Sequence, residues 1–277
     1  IHPETIHNLR VLGVSLAVLI ASILVALQGS FLPNNLETMT ISGAGIIGVL
    51  RVTIESLTLL APWWLGAAGW GWLFVNASNF FRARDTAKSP DVISDILVQL
   101  GVGMSVVLLL AYGMALAGVL HPVTAWGLCG LGVAVLVWRG VVWHRANPNA
   151  SISWPKIPWT FVLIMPGIAL LLVASAIPPG LIWSVEAFSY DAMSYHLQLP
   201  REWLAMGAMR GLNHNVYSYL PSLIEIGFMQ LGAMKGSMYA AISAAQLWHA
   251  STALLAAGAV AKIVARLSTP AVGVLGG

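Results

Sequence analysis

Long apolar runs separated by short polar clusters set the pattern of this chain. The first run, Leu9 to Leu27, approaches the length needed to cross a hydrocarbon core of about 30 Å at about 1.5 Å per helical residue. It ends without a small-x-small cleavage pattern and is long for a signal peptide, so it is expected to be a membrane helix. Residues 41–55 place Arg51 and Glu55 one helical turn apart, with Ile47, Leu50, Ile54 and Leu57 on another face. That pattern predicts an interfacial helix leading into a span from Ser56 to Val75. The alternative is two spans split at Pro62, with Arg51 and Glu55 paired inside the membrane. A charge at a helix centre costs about 2.5 kcal/mol or more, which favours the interfacial reading. Further spans are expected at Ile93–Leu120, Val123–Trp143 and Trp159–Ile177, with a tight turn at His121-Pro122. A short sixth span begins at Pro221 and runs to Met234, and a seventh covers Met238–Val264.

Composition removes the alternatives to a membrane protein. Of 277 residues, 58% are hydrophobic and 8% charged, against about 25% charged in a soluble domain. Mean hydropathy is +0.83. So few charges could not cover a soluble protein of this size, and the same figures exclude disorder, a coiled coil and a disulfide scaffold. The expected fold is an all-α, polytopic membrane bundle of about seven transmembrane helices, with one or two interfacial amphipathic helices. Cys129 is the single cysteine, so no intrachain disulfide forms.

The net charge of +3 is a topology signal, because the cations lie between the apolar runs. No nucleic-acid-binding pattern is present. With the N-terminus in the cytoplasm, that side holds Arg10, Arg82, Arg84, Lys88, Arg139, Arg145, Lys156 and Lys235. The outer side holds the smaller set of Arg51, Arg201, Arg210, Lys262 and Arg266. Residues 181–220 then lie outside. Tryptophans 63, 64, 70, 72, 154 and 159 read as interface belt and packing. Small residues at Ala241/Ala245 and Ala257/Ala261 predict close packing of the last helix. The run after Pro270 reads as the start of another span, so the chain is expected to continue beyond Gly277.

Candidate chemistry is concentrated in residues 181–249. Glu186, Asp191, His196, Glu202, His214, Glu225 and His249 all fall there. An amphipathic piece, Leu199 to Met209, carries Trp203, Leu204 and Met206 toward its apolar side and is expected to lie on the membrane surface over a cavity. A carboxylate at such a boundary can take a proton from an attacking hydroxyl or amine. Glu225 lies one turn into an apolar helix, and an intramembrane acid is a functional candidate by default. Its structural alternative is a pair with Arg201, Arg210 or Lys235. Asp191 has an alternative of its own as a helix N-cap. Asp191, His196, His214 and Glu225 are ligand types that suit a divalent ion, but no tight ligand spacing supports a metal site, and no cofactor is assigned.

Ser189 to Leu204 reads S-Y-D-A-M-S-Y-H-L-Q-L-P-R-E-W-L. Its Tyr190-Asp191-Ala192, Tyr195-His196-Leu197, Pro200 and Trp203-Leu204 resemble the first outer-loop signature of bacterial GT-C glycosyltransferases, the protein O-mannosyltransferase-like group. Asn215-Val-Tyr217-Ser218, Pro221, Glu225 and Ala244-Ala245-Gln246-Leu247-Trp248-His249 extend the resemblance in order. It covers about residues 181–277, and implies an N-terminal membrane region over 1–178 followed by a GT-C-like region over 179–277.

The resemblance implies sugar transfer from a polyprenyl-phosphate donor to a protein, lipid or glycan acceptor at the outer face of a prokaryotic plasma membrane. It also implies that Asp191 is the catalytic base or acceptor-positioning group. Tyr195, His196, His214 and Glu225 are candidates to line that site. Arg201 and Arg210 are candidates for the carrier phosphate on chemical grounds, since guanidinium pairs phosphate bidentately. Two departures stand out. About five spans precede the loop, where the family usually has one, and Ala192 follows Asp191 where many members carry Asp-Glu. A non-catalytic transporter or structural subunit of a membrane complex is the alternative. No internal repeat supports a transporter, and the ionisable groups gather at one loop instead of the midplane.

Overall fold

A computed structural model describes residues 3–27, 43–80, 92–148, 157–176, 190–269 and 272. The described residues are helical, without a strand. Among them eight α-helices follow in order: α1 (Pro3–Leu27), α2 (Gly43–Phe80), α3 (Val92–Leu116), α4 (Pro122–Ala146), α5 (Met165–Ala176), α6 (Gln198–Met206), α7 (Leu223–Lys235) and α8 (Met238–Leu267). Glu186, the cations Arg82, Arg84, Lys88 and Lys156, Trp154, and the final run apart from Val272 lie outside the described residues.

Five helical segments among the described residues are long and apolar enough to cross a membrane: Glu4–Ala26, Ile93–Leu116, Pro122–Ala146, Trp159–Ala176 and Met238–Leu267. The protein is thus a multi-pass helical membrane protein by length and composition. The expected count of about seven includes two further segments, α2 and α7, which are not among these five. Residues 43–75 are not split into two helices at Pro62. Gly43 to Phe80 is one helix, continuous through Pro62. Proline removes one backbone donor, a loss that neighbouring helices and local adjustments make tolerable in membrane helices. Arg51 and Glu55 therefore both sit inside α2. The sixth expected span is α7, whose 13 residues reach only about 20 Å. Its residues from Glu225 to Met234 are all buried.

The fold comprises two compact units. One is built from residues 1–54, 149–177 and 247–277, the other from 55–148 and 178–246. In the first, α1 packs along α5 and the preceding 3-10 turn, Trp159–Ile164. Pro166 lies at the second position of α5, where a missing N–H costs no intrahelical bond. His7 Nε2 lies 2.9 Å from the Ile157 carbonyl oxygen, and Asn8 Oδ1 accepts from the Ile157 N–H at 2.9 Å.

In the second unit, α7 is enclosed by α3, α4 and α6. The α2 part of this unit meets α3 and α4 through glycine. A Cβ on Gly66 would meet the Cys129 carbonyl oxygen at 2.7 Å, and one on Gly69 would collide with the Gly132 backbone. Gly71 and Gly103 confront each other in the same way. In a bilayer, association rests on such close backbone contact, because lipid tails are as apolar as side chains. The small-residue seam thus joins α2 to its neighbours, and on α8 Ala241 and Ala245 are also buried. Indole N–H groups complete the unit: Trp63 donates to Gln230 Oε1 at 3.0 Å, Trp70 to the Leu128 carbonyl at 2.9 Å and Trp126 to the Met234 carbonyl at 3.0 Å.

Candidate functional site

The segment from Tyr190 to Ser222 contains α6 and leads into α7 in the second unit. Tyr190 and Asp191 form a helical start that widens into a π turn over Ala192–His196. The Leu197 N–H reaches back to the Ala192 carbonyl at 3.0 Å. Such one-turn π segments are uncommon and often occur at functional sites. Asp191 is exposed, has helical dihedrals and makes no side-chain cap bond, so it does not act as an N-cap. Its carboxylate acts electrostatically on the Tyr195 phenol one turn on. Partial desolvation first, and then the Asp191 carboxylate, push the Tyr195 phenol above its ordinary range.

The wider turn brings His196 to α7. His196 Nδ1 lies 2.6 Å from Glu225 Oε1. Glu225 has 9% of its side chain exposed, and His196 39%. An ionised carboxylate only accepts, so Nδ1 donates and the second ring nitrogen, Nε2, keeps its lone pair. Of the partners considered from sequence for Glu225, none of the three cations is the observed one. The Tyr195 ring lies 4.1 Å from the His196 ring and stacks on Tyr217 at 4.3 Å. Asn215 supports both halves of this arrangement: its amide donates to the Ser194 carbonyl at 2.8 Å, and its Oδ1 accepts from the Tyr217 N–H at 3.2 Å.

His214 is not part of that cluster. Its Nε2 pairs with Glu202 Oε2 at 3.0 Å, and Glu202 also accepts from Gln198. The four residues considered for a metal therefore divide into separate contacts, and among the described residues no three His, Cys, Asp or Glu side chains converge on one point. Arg201 lies over the Tyr239 ring and donates to its hydroxyl. Arg210 is exposed, while its carbonyl accepts from the Trp203 indole at 2.8 Å. His249 is exposed on α8, in the first unit.

The amphipathic piece also behaves differently from expectation. It ends at Met206, where Gly207 takes the left-handed conformation with φ 74° and stops α6. Leu199, Pro200 and Trp203 are buried, and α6 packs on α7. Leu199 and Trp203 of its apolar side thus meet protein, while Met206 is exposed. Exposed apolar side chains appear instead beside the cluster, at Tyr190, Met193, Val216, Tyr219 and Leu220. Sequence alone does not single out this rim, nor Tyr217 and Asn215 as the supports of Tyr195; the alternation of exposed and buried positions in a loop has no period to find.

The arrangement offers an exposed carboxylate, an oriented imidazole and an aromatic wall next to apolar surface. Comparison of the chain with protein-family models, curated proteins and solved structures found no match.

Proposed function

We propose that this protein is a membrane glycosyltransferase of GT-C type, moving a sugar from a polyprenyl-phosphate carrier to an acceptor at the outer face of the membrane. One observation carries the reading. The stretch that resembles the family's outer-loop signature folds so that exposed Asp191 and Glu225-bound His196 lie within six residues of chain, 191–196. Two proton-accepting groups of this kind suit attack by a hydroxyl on a sugar's anomeric carbon. The exposed apolar rim beside them suits a donor whose tail remains in lipid. Asp191 meets the acceptor in this reading. Placement at the outer face rests on the cation bias along the chain.

The test is transfer of labelled sugar from a panel of polyprenyl-phosphate donors by the protein in its membrane, comparing wild type with Asp191→Asn. Asn keeps the size of Asp191 and removes its charge. Transfer by wild type and a loss of about 10²-fold or more in the variant, at equal expression, is the expected result. Equal rates would remove Asp191 from the site. No transfer from any donor would put a non-catalytic transporter or structural subunit first.

A further inference from the structure

We infer that His196 is the general base of this site and Glu225 its positioning residue. The inference rests on the glycosyltransferase reading and names the group that removes the acceptor's proton. Glu225 is buried, and its Oε1 accepts from His196 Nδ1 at 2.6 Å. That bond fixes the proton on Nδ1 and leaves the lone pair on Nε2, on a side chain that solvent and substrate can reach. A nitrogen base with a buried carboxylate behind it has the base-and-orienter geometry of proton-abstracting sites. Asp191 is exposed one turn before the imidazole, and in this reading its carboxylate orients the acceptor hydroxyl. Tyr195, stacked on Tyr217, walls one side of the imidazole.

In the step, the acceptor oxygen forms its bond to the anomeric carbon as its proton passes to His196 Nε2. The bond from that carbon to the phosphate oxygen breaks, and its electron pair leaves on the carrier phosphate. The imidazolium then returns its proton to water. The charged and titratable groups around His196 are Glu225 from α7, Asp191 and Tyr195 on its own segment, and Tyr217 from the following 3-10 turn. On α6, Glu202 is held by His214 and Gln198, and Arg201 by Tyr239.

The experiment measures transfer against pH for wild type, His196→Ala, Glu225→Gln and Glu225→Asp, with folding followed by thermal unfolding in detergent. A Gln at 225 can donate to Nδ1 and so moves the ring proton to Nε2, the wrong nitrogen for a base. The expected results are a loss of about 10²-fold or more in kcat for His196→Ala, disappearance of the acidic limb of its pH profile, and partial recovery with added imidazole. Glu225→Gln should lower kcat with the donor KM little changed, and Glu225→Asp should recover part of it. If Glu225→Gln fails to fold, imidazole recovery of His196→Ala decides. A His196→Ala rate and pH profile equal to wild type overturn the inference and leave the glycosyltransferase reading standing. Absence of transfer by wild type overturns both.

Discussion

At the scale of single residues, side chains that are ordinary in the sequence acquire roles from one contact each. His196 and Glu225 are 29 positions apart, and nothing in their spacing selects that pairing over one with Arg201, Arg210 or Lys235. The rotation of α7 about its axis makes the choice. Asp191 is legible as a candidate because the residues around it carry a recognisable order. Its electrostatic influence on Tyr195 follows from their i, i+4 separation. The raised Tyr195 phenol gives a signed prediction. The folded loop prefers the neutral phenol, so its contribution to stability is intact below the ordinary tyrosine range near pH 10 and is lost as pH rises through the higher folded value. Absorbance titration of the phenolate band should show Tyr195 ionising after an ordinary tyrosine, and Tyr195→Phe should remove that late component. An unchanged titration curve would contradict the raised phenol. In the core, Gln230 is fully buried, accepts from Trp63 and donates to Cys129 Sγ at 3.5 Å. Gln230→Leu removes that acceptor and should cost about 1 kcal/mol, read as a lowered midpoint in detergent unfolding.

Elements show where periodicity is sufficient and where it fails. The apolar runs of α1, α3, α4 and α8 are long and uniform, so their existence is readable, with ends displaced by a few residues. Residues 43–80 carry Arg51, Glu55 and Pro62 and still form one continuous helix. For α7, an apolar run of this length suits a short span or a core helix equally well. Contacts with α3, α4 and α6 bury it in either case. The apolar side of α6 is legible as a face, and Leu199 and Trp203 on it are buried where α6 packs on α7. The glycine seam makes the sharpest prediction at this scale. Gly132 faces the Gly66 backbone across α2 and α4, with no room for a Cβ. Gly132→Val must separate the helices and should destabilise the second unit by about 1–3 kcal/mol. Gly140→Val, on the same helix with nothing near its Cβ position, serves as the control and should leave the unfolding midpoint near that of wild type.

For the molecule as a whole, five helices fit to span a bilayer and an 8% charged composition predict that the protein stays with the membrane pellet after alkaline carbonate washing. Release into the supernatant would contradict a multi-pass protein. Hydropathy alone determined the class, since every backbone polar group in hydrocarbon must be paired and helices achieve this within one segment. The order of residues 189–204 also marked where to look for chemistry. Tertiary structure decided which apolar helices are enclosed by protein, where helices touch, and which carboxylate each histidine meets. Hydropathy measures transfer out of water, and it has the same sign whether the destination is lipid or another helix. The partner of a polar side chain is fixed by helix rotation and separation, which a one-dimensional pattern does not contain.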